Sequence, residues 1–197
     1  MPIPKSSVVD RSPQQEVEER IEQLYASLVR DHHRSIFNYV YRIIGDTGLA
    51  EDVTQEAYLR AYRALPRLPG DANHRAWLYR IATNAATDEL RRRKRRPQET
   101  LGLSPTLRAR SESEDVRLGR MVLDDALHQL AEGHRVVLNL FEFGEFSAPE
   151  VGQVLGINAA AARKRRQRAR SALARILKKE LRSRKAKPHA DDKEPRS

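Results

Sequence analysis

SAPEVGQVLGINAAAARKRRQRARSAL, residues 147–173, holds two short helices with a tight break between them. Ser147 and Glu150 stand at capping-box spacing, and Pro149 falls in the first turn, where its missing N–H costs nothing. Val151, Val154 and Leu155 recur at helical spacing. Gly156 ends the helix, as glycine does where a left-handed backbone is needed. Ile157 is an apolar plug, and Asn158 suits the N-cap of the next helix. That helix opens on four alanines and turns cationic at Arg163, Lys164, Arg165, Arg166, Arg168 and Arg170. A short helix, a glycine turn and a basic second helix form the pattern of a helix-turn-helix, whose second helix enters the major groove. A basic amphipathic helix packed on an acidic surface is the plainer alternative.

The rest of the chain sets this segment in context. The net charge of +10 over 197 residues suits a polyanionic partner, nucleic acid or an anionic surface. Cysteine is absent, which excludes disulfides, thiolate metal sites and a cysteine nucleophile. The six histidines show no metal-binding spacing, so neither metal nor cofactor is expected. No apolar run approaches the roughly 20 residues of a membrane span, and the N-terminus lacks a signal-peptide core. A cytoplasmic protein without membrane insertion is the expectation.

Periodicity lays out the remaining helices. Ile21, Leu24, Tyr25 and Leu28 mark a first helix, and Ile36, Tyr39, Val40 and Ile43 a second. A turn at 45–48 leads to a third helix at 49–65, acidic in its first half. The loop PRLPGDAN (66–73) follows, with two prolines and a glycine. A fourth helix is predicted over 74–93, with Trp77, Leu78, Ile81 and Ala85 inward. It ends in six consecutive cations at 91–96, and Pro97 stops it. Residues 97–115 lack periodicity and read as a flexible linker. A helix at 116–130 places Met121, Val122, Ala126, Leu127 and Leu130 on one side. Gly133 interrupts, a helix around 136–141 follows, and Gly144 breaks before the helix-turn-helix. The resulting fold class is all-α: two small helical domains, residues 16–96 and 116–181, on a flexible linker. Disordered residues 1–15 and a charged, mobile tail at 182–197 flank them. Independent motion of the two domains in the free protein follows from the tether.

Three stretches together carry a family resemblance: AEDVTQEAYLRAYRAL (50–65), HRAWLYRIATNAATDELRRRKRR (74–96) and the helix-turn-helix ending RQRARSAL. With both halves in view the chain resembles a bacterial RNA polymerase sigma factor of the extracytoplasmic-function (ECF) group, built of regions 2 and 4. The resemblance implies a sigma region 2 bundle at 16–96, a sigma region 4 helix-turn-helix at 116–181, and promoter-specific transcription initiation in a stress or envelope response. The implied partners are core RNA polymerase (the β′ clamp helices and β flap), promoter DNA and an anti-sigma factor, the free protein being a monomer.

The implied polymerase-docking residues are Asp52, Gln55 and Glu56. On chemistry alone this acidic face is equally an ordinary solvated helix surface. The −10 element falls to the 66–73 loop and its helix. Asp71, Asn73 and His74 offer hydrogen-bonding groups to a flipped base, Tyr79 and Arg80 lie off the core face, and Asn84 matches a family asparagine. Trp77 shares a face with Ile81 and is better read as core. Arg91, Arg92 and Arg93 are placed to grip phosphates. The −35 contacts fall on Arg163, Lys164, Gln167 and Arg168, on one side of the helix, with Arg165 and Arg170 toward phosphates. One departure is Arg166, which stands in the stripe Ala162, Arg166, Ala169, Leu173 where relatives carry an apolar residue. It implies loose packing of the recognition helix and unsettles the docking pose. A two-domain helix-turn-helix regulator acting without polymerase is the main alternative, and an RNA- or ribosome-binding helical protein a weaker one. An enzyme is the least favoured class, for want of a phosphate-binding glycine loop or a nucleophile elbow.

Overall fold

The computed structural model describes residues 12–95 and 114–185. The predicted N-terminal extension up to residue 11, Arg96, the linker up to 113 and the tail from 186 lie outside them. Seven α-helices and no strand occur among the described residues: α1 (Pro13–Ile44), α2 (Thr47–Ala64), α3 (His74–Arg95), α4 (Glu114–His128), α5 (Glu132–Leu138), α6 (Ala148–Leu155) and α7 (Ala159–Lys185). A single 3-10 turn, Leu65–Arg67, follows α2.

The first two predicted helices are one. α1 runs unbroken for 32 residues because no glycine or proline lies between 14 and 44. The Gln15 side chain accepts from the Ser12 N–H at 3.0 Å, and the Ser12 hydroxyl accepts from the Gln15 N–H at 3.4 Å. The helix ends at Gly45, whose φ of 83° supplies the left-handed cap. Asp46 at once caps α2, its carboxylate accepting from the Leu49 N–H at 2.9 Å. Two caps in adjacent residues turn α2 sharply back along α1.

Two further boundaries differ from expectation. The break after α4 falls at residues 129–131, and Gly133 lies within α5. Glycine does not oblige a chain to turn, and here the first helical turn takes it up at little cost. Beyond Leu138 the helix widens into a π-turn, Asn139–Phe143, closed by the Gly144 N–H on the Asn139 carbonyl at 2.8 Å. Met121, expected inward, is exposed, while Ala126, Leu127 and Leu130 are buried.

α3 is the central element. It buries Ala76, Leu78, Tyr79, Ala82, Thr83, Ala85 and Ala86, more than one face of a helix. One side packs on α1 and α2, where the Tyr39 and Thr83 hydroxyls share a 2.7 Å hydrogen bond. Burial pushes the Tyr39 phenol well above its ordinary range, so it stays protonated. The other side meets the C-terminal half of the chain: the Tyr79 and Phe146 rings pack edge to face, centroids 4.7 Å apart. Phe146, Val151, Val154 and Ala162 thereby join the core that holds Ile36, Val40 and Leu78. A smaller core of Leu127, Leu130, Leu138, Ala169 and Ala172 lies between α4, α5 and α7. The two helical units therefore pack on each other, against the expected independence. The reason is surplus apolar surface: α6 is too short to cover Phe146, Val151 and Val154 with its own unit.

A second seam closes this packing at the far end of α1. Arg135 donates to the Ile43 carbonyl at 2.5 Å and, within its own unit, to the His128 and Leu130 carbonyls at 3.0 and 3.2 Å. A guanidinium suits the C-terminus of a helix, where carbonyls lack intrahelical partners. Arg135 also lies 3.2 Å from His128 Nδ1, which accepts when the ring is neutral. Burial, and then the Arg135 charge, hold the His128 pKa below its usual 6.5, with Asp125 opposing. The unfolded chain thus takes the proton more readily than the folded one. The stability His128 contributes is full above pH 6.5 and is lost as pH falls toward the depressed value. Thermal melts between pH 7.5 and 5.5 should show a steeper loss of Tm for the native chain than for His128→Gln. The difference isolates His128 from His32, which is shifted the same way and is present in both.

Candidate nucleic-acid interface

The helix-turn-helix forms as its residues dictate. Glu150 Oε2 accepts from the Ser147 N–H at 2.8 Å and from its hydroxyl at 2.6 Å, and these bonds hold the carboxyl below its usual range. Gly156 has a φ of 64°, and the Asn158 side chain accepts from the Ala161 N–H at 2.8 Å. Gly152 fixes how closely the helices meet: a Cβ there would lie 2.5 Å from the Ile157 carbonyl oxygen. Ala162 and Ala169 are fully buried, so α7 presents the predicted stripe inward. Arg163, Lys164, Arg165, Gln167, Arg168 and Arg170 are all exposed. A row of donors on one outward face matches what a major groove accepts.

Arg166 resolves differently from the loose packing expected of it. Its guanidinium forms a fork on Glu142, at 3.0 and 3.3 Å, and lies over the Phe141 ring at 4.7 Å. A planar cation that stacks on one side and chelates a carboxylate at its edge can fill an apolar position. The recognition helix is thus pinned to the π-turn. Arg170 stands 4.0 Å from the same carboxylate.

The loop and α3 place the other candidates unevenly. Asp71 and Asn84 are exposed, as is Arg80, and His74 is half-buried. Asn73 caps α3 through Oδ1, which accepts from the Ala76 N–H at 3.0 Å. Its amide also donates to Glu150 at 3.3 Å, across to α6. Tyr79, expected on the DNA side, is 3% exposed. A single-face view of α3 missed this because the covering surface, Phe146, comes from the other unit. Trp77 is half-buried against the core, in keeping with a packing role. The arginine run is largely paired within the chain: Arg91 with Asp88 at 3.3 Å, Arg92 with Glu89 at 2.7 Å, and Arg93 with Asp46 at 3.8 Å. Such surface pairs are weak and exchange readily for a phosphate.

On α2, Asp52 and Gln55 are exposed, and Glu56 bonds Arg60 at 2.8 Å. The face borders a shallow aromatic groove where the His33 and Tyr58 rings stack 5.8 Å apart. Sequence reasoning did not single out Arg75, Arg135 or Glu142. None shows a periodic or motif signal, because each acts through a distant partner. Among the described residues no cluster of three His, Cys, Asp or Glu is placed to hold a metal, and no helix is long and apolar enough to cross a membrane.

An all-helical protein of two packed units, one ending in an exposed basic recognition helix, defines a DNA-binding class. Within that class, the sigma-70 region 2 model matches residues 28–96 and the sigma-70 region 4 model residues 120–173. The sigma-H factor of Pseudomonas aeruginosa is 32% identical over 167 residues, covering 79% of this chain and 86% of that one. The ECF sigma factor SigL of Mycobacterium tuberculosis is 33% identical over 140 residues, covering 68% and 77%. The chain belongs to the ECF group of bacterial RNA polymerase sigma factors, proteins that direct transcription initiation and are not enzymes. The fold agrees with the RpoE–NepR structure from Bartonella quintana, at TM-score 0.66, 22% identity and coverage of 78% of this chain and 96% of that one. It agrees likewise with CnrH bound to the cytosolic domain of CnrY, at TM-score 0.63, 24% identity and coverage of 83% and 96%.

The Arg166–Glu142 fork is about one-third exposed on each side, so its strength is that of a screened pair, about 1 kcal/mol. Arg166→Ala and Glu142→Ala should each destabilise the fold by about that much in urea denaturation. The double variant should cost less than their sum, as coupled residues do.

Proposed function

We propose that this chain recruits core RNA polymerase to promoters through three of its surfaces. The exposed row Arg163, Lys164, Gln167 and Arg168 on α7 is the observation that carries the proposal, and it reads the −35 element. Arg165 and Arg170 hold phosphates there. The 66–73 loop and α3 engage the melted −10 strand through Asp71, Asn73, His74, Arg80 and Asn84, and Tyr79 serves once uncovered. Arg91, Arg92 and Arg93 exchange their carboxylate partners for phosphates. The α2 face at Asp52, Gln55 and Glu56 docks on the β′ clamp helices. An apolar groove of about 300 Å³, lined by Leu123, Leu127, Leu138, Phe143, Leu173 and Leu177, suits the β flap. Residues 16–96 and 116–181 act as the two functional domains, with 97–115 as the linker between them. The protein works as a monomer in the cytoplasm, where polymerase and chromosome are, in a stress or envelope response. Two similar structures hold anti-sigma factors, which supports such a partner here.

Transcription with core polymerase, run on single-base −35 promoter mutants at two salt concentrations, tests the proposal. A base contact is worth about 1–3 kcal/mol of discrimination. Lys164→Ala and Gln167→Ala should therefore lose most at the preferred −35 sequence and tolerate changes in it. Arg170→Ala should weaken all promoters alike and reduce the salt slope by about one unit. Reversing Asp52 and Glu56 to Lys should weaken core binding and leave the fold intact. Tight, specific promoter binding by the protein alone would favour a regulator that needs no polymerase.

A further inference from the structure

Several side chains offered to the −10 strand are engaged elsewhere in this structure. Phe146 covers Tyr79, and Glu150 takes the Asn73 amide at 3.3 Å. Arg75, between Asn73 and Tyr79, donates to the Gly144 carbonyl and lies 4.1 Å over the Phe146 ring. All three covering residues come from the segment that leads into the helix-turn-helix. Three more contacts tie the same two units: Arg135 on the Ile43 carbonyl, Arg42 over the Phe143 ring at 4.2 Å, and Lys94 to Glu132 at 3.6 Å.

The seam is built from contacts that can part. It encloses a polar cavity of about 140 Å³ lined by Ser35, Asn38, Tyr39, Arg42, Tyr79 and Asn139. Asn139 Oδ1 and Arg135 Nε are buried there or nearby without a hydrogen-bond partner. Each buried unpaired polar atom subtracts from the stability of closure. An interface of mixed rings, guanidinium groups and carbonyls resembles those between domains that move.

Resting on the function proposed above, we infer that the free protein is self-inhibited: the region 4 unit closes over the −10 reader, and initiation requires the two units to part. Closed molecules have no access to the −10 strand. The apparent affinity for the promoter complex is then reduced by the fraction of open molecules. A polymerase that holds the two units on separate surfaces binds the open form and draws the equilibrium toward it. Such a device keeps a strongly basic chain from engaging single-stranded nucleic acid when no polymerase is present.

The chain has no cysteine, so a pair can be introduced cleanly. Lys94 and Glu132 face each other across the seam at its surface, and neither belongs to the binding residues above. The double variant K94C/E132C is joined in the free, full-length protein with a short bis-maleimide that carries a reducible bond. The same variant capped with a mono-maleimide is the control, and it should support transcription with core polymerase at the native level. The linked protein should be at least tenfold less active and should recover on reduction of the linker. Full activity of the linked protein would overturn self-inhibition. So would failure of the free protein to form the link, since the seam would then be unpopulated. Inactivity of the capped control together with the native chain would count against the sigma function instead, and so the two failures are distinguishable.

Discussion

Everything in this fold leans on α3 being buried from two sides. Four of its seven buried residues are alanines, Ala76, Ala82, Ala85 and Ala86. Small side chains let α1 and α2 approach closely, because helix spacing follows the residues at the contact. That close fit presents Tyr79 and Thr83 to α1 while leaving the opposite flank open. Phe146 fills the flank, and through it the second unit inherits its position. A larger residue at Ala82 or Ala86, both fully buried, would press on the same packing that seats Tyr79.

Arginine carries much of the remaining order. Arg42 lies over Phe143, Arg75 over Phe146 and Arg166 over Phe141, while Arg135 closes the end of α1. In a chain with few aromatic residues, flat cations take the place of missing apolar partners. They leave their charge at the edge, where carbonyls or Glu142 receive it. The cationic character that suggests nucleic acid is therefore divided. Part of it faces outward on α7, and part is spent inside the structure.

Local signals were legible in the sequence wherever a residue's role is settled within one turn. The Ser147–Glu150 box, Gly156, the Asn158 cap and the inward stripe at Ala162 and Ala169 all fall where spacing places them. The start of α3 at His74 follows the proline-rich loop as expected. Failures have a common cause in distance along the chain. The continuity of α1 depends on the absence of a breaker, which periodicity in two short windows does not register. Tyr79 looked exposed because its cover lies 67 positions away, at Phe146. Arg166 looked misplaced because Glu142 and Phe141 belong to a different helix. The order of the family stretches carried the functional assignment, whereas the packing between the units left no local trace.

The π-turn at Asn139–Phe143 has a consequence for how this family member can change over generations. A helix advances about 100° per residue, and the widened turn absorbs one extra residue between α5 and the segment ending at Phe146. Phe141 and Phe143 consequently point to opposite neighbours, one toward Arg166 and the other toward Arg42. Loss of a single codon here would restore an ordinary helix and swing everything downstream by about a quarter turn. Phe146 would leave α3, and the recognition helix would lose its anchor. Substitutions in this segment can be absorbed one by one, but its length is a counted quantity that inheritance has to preserve.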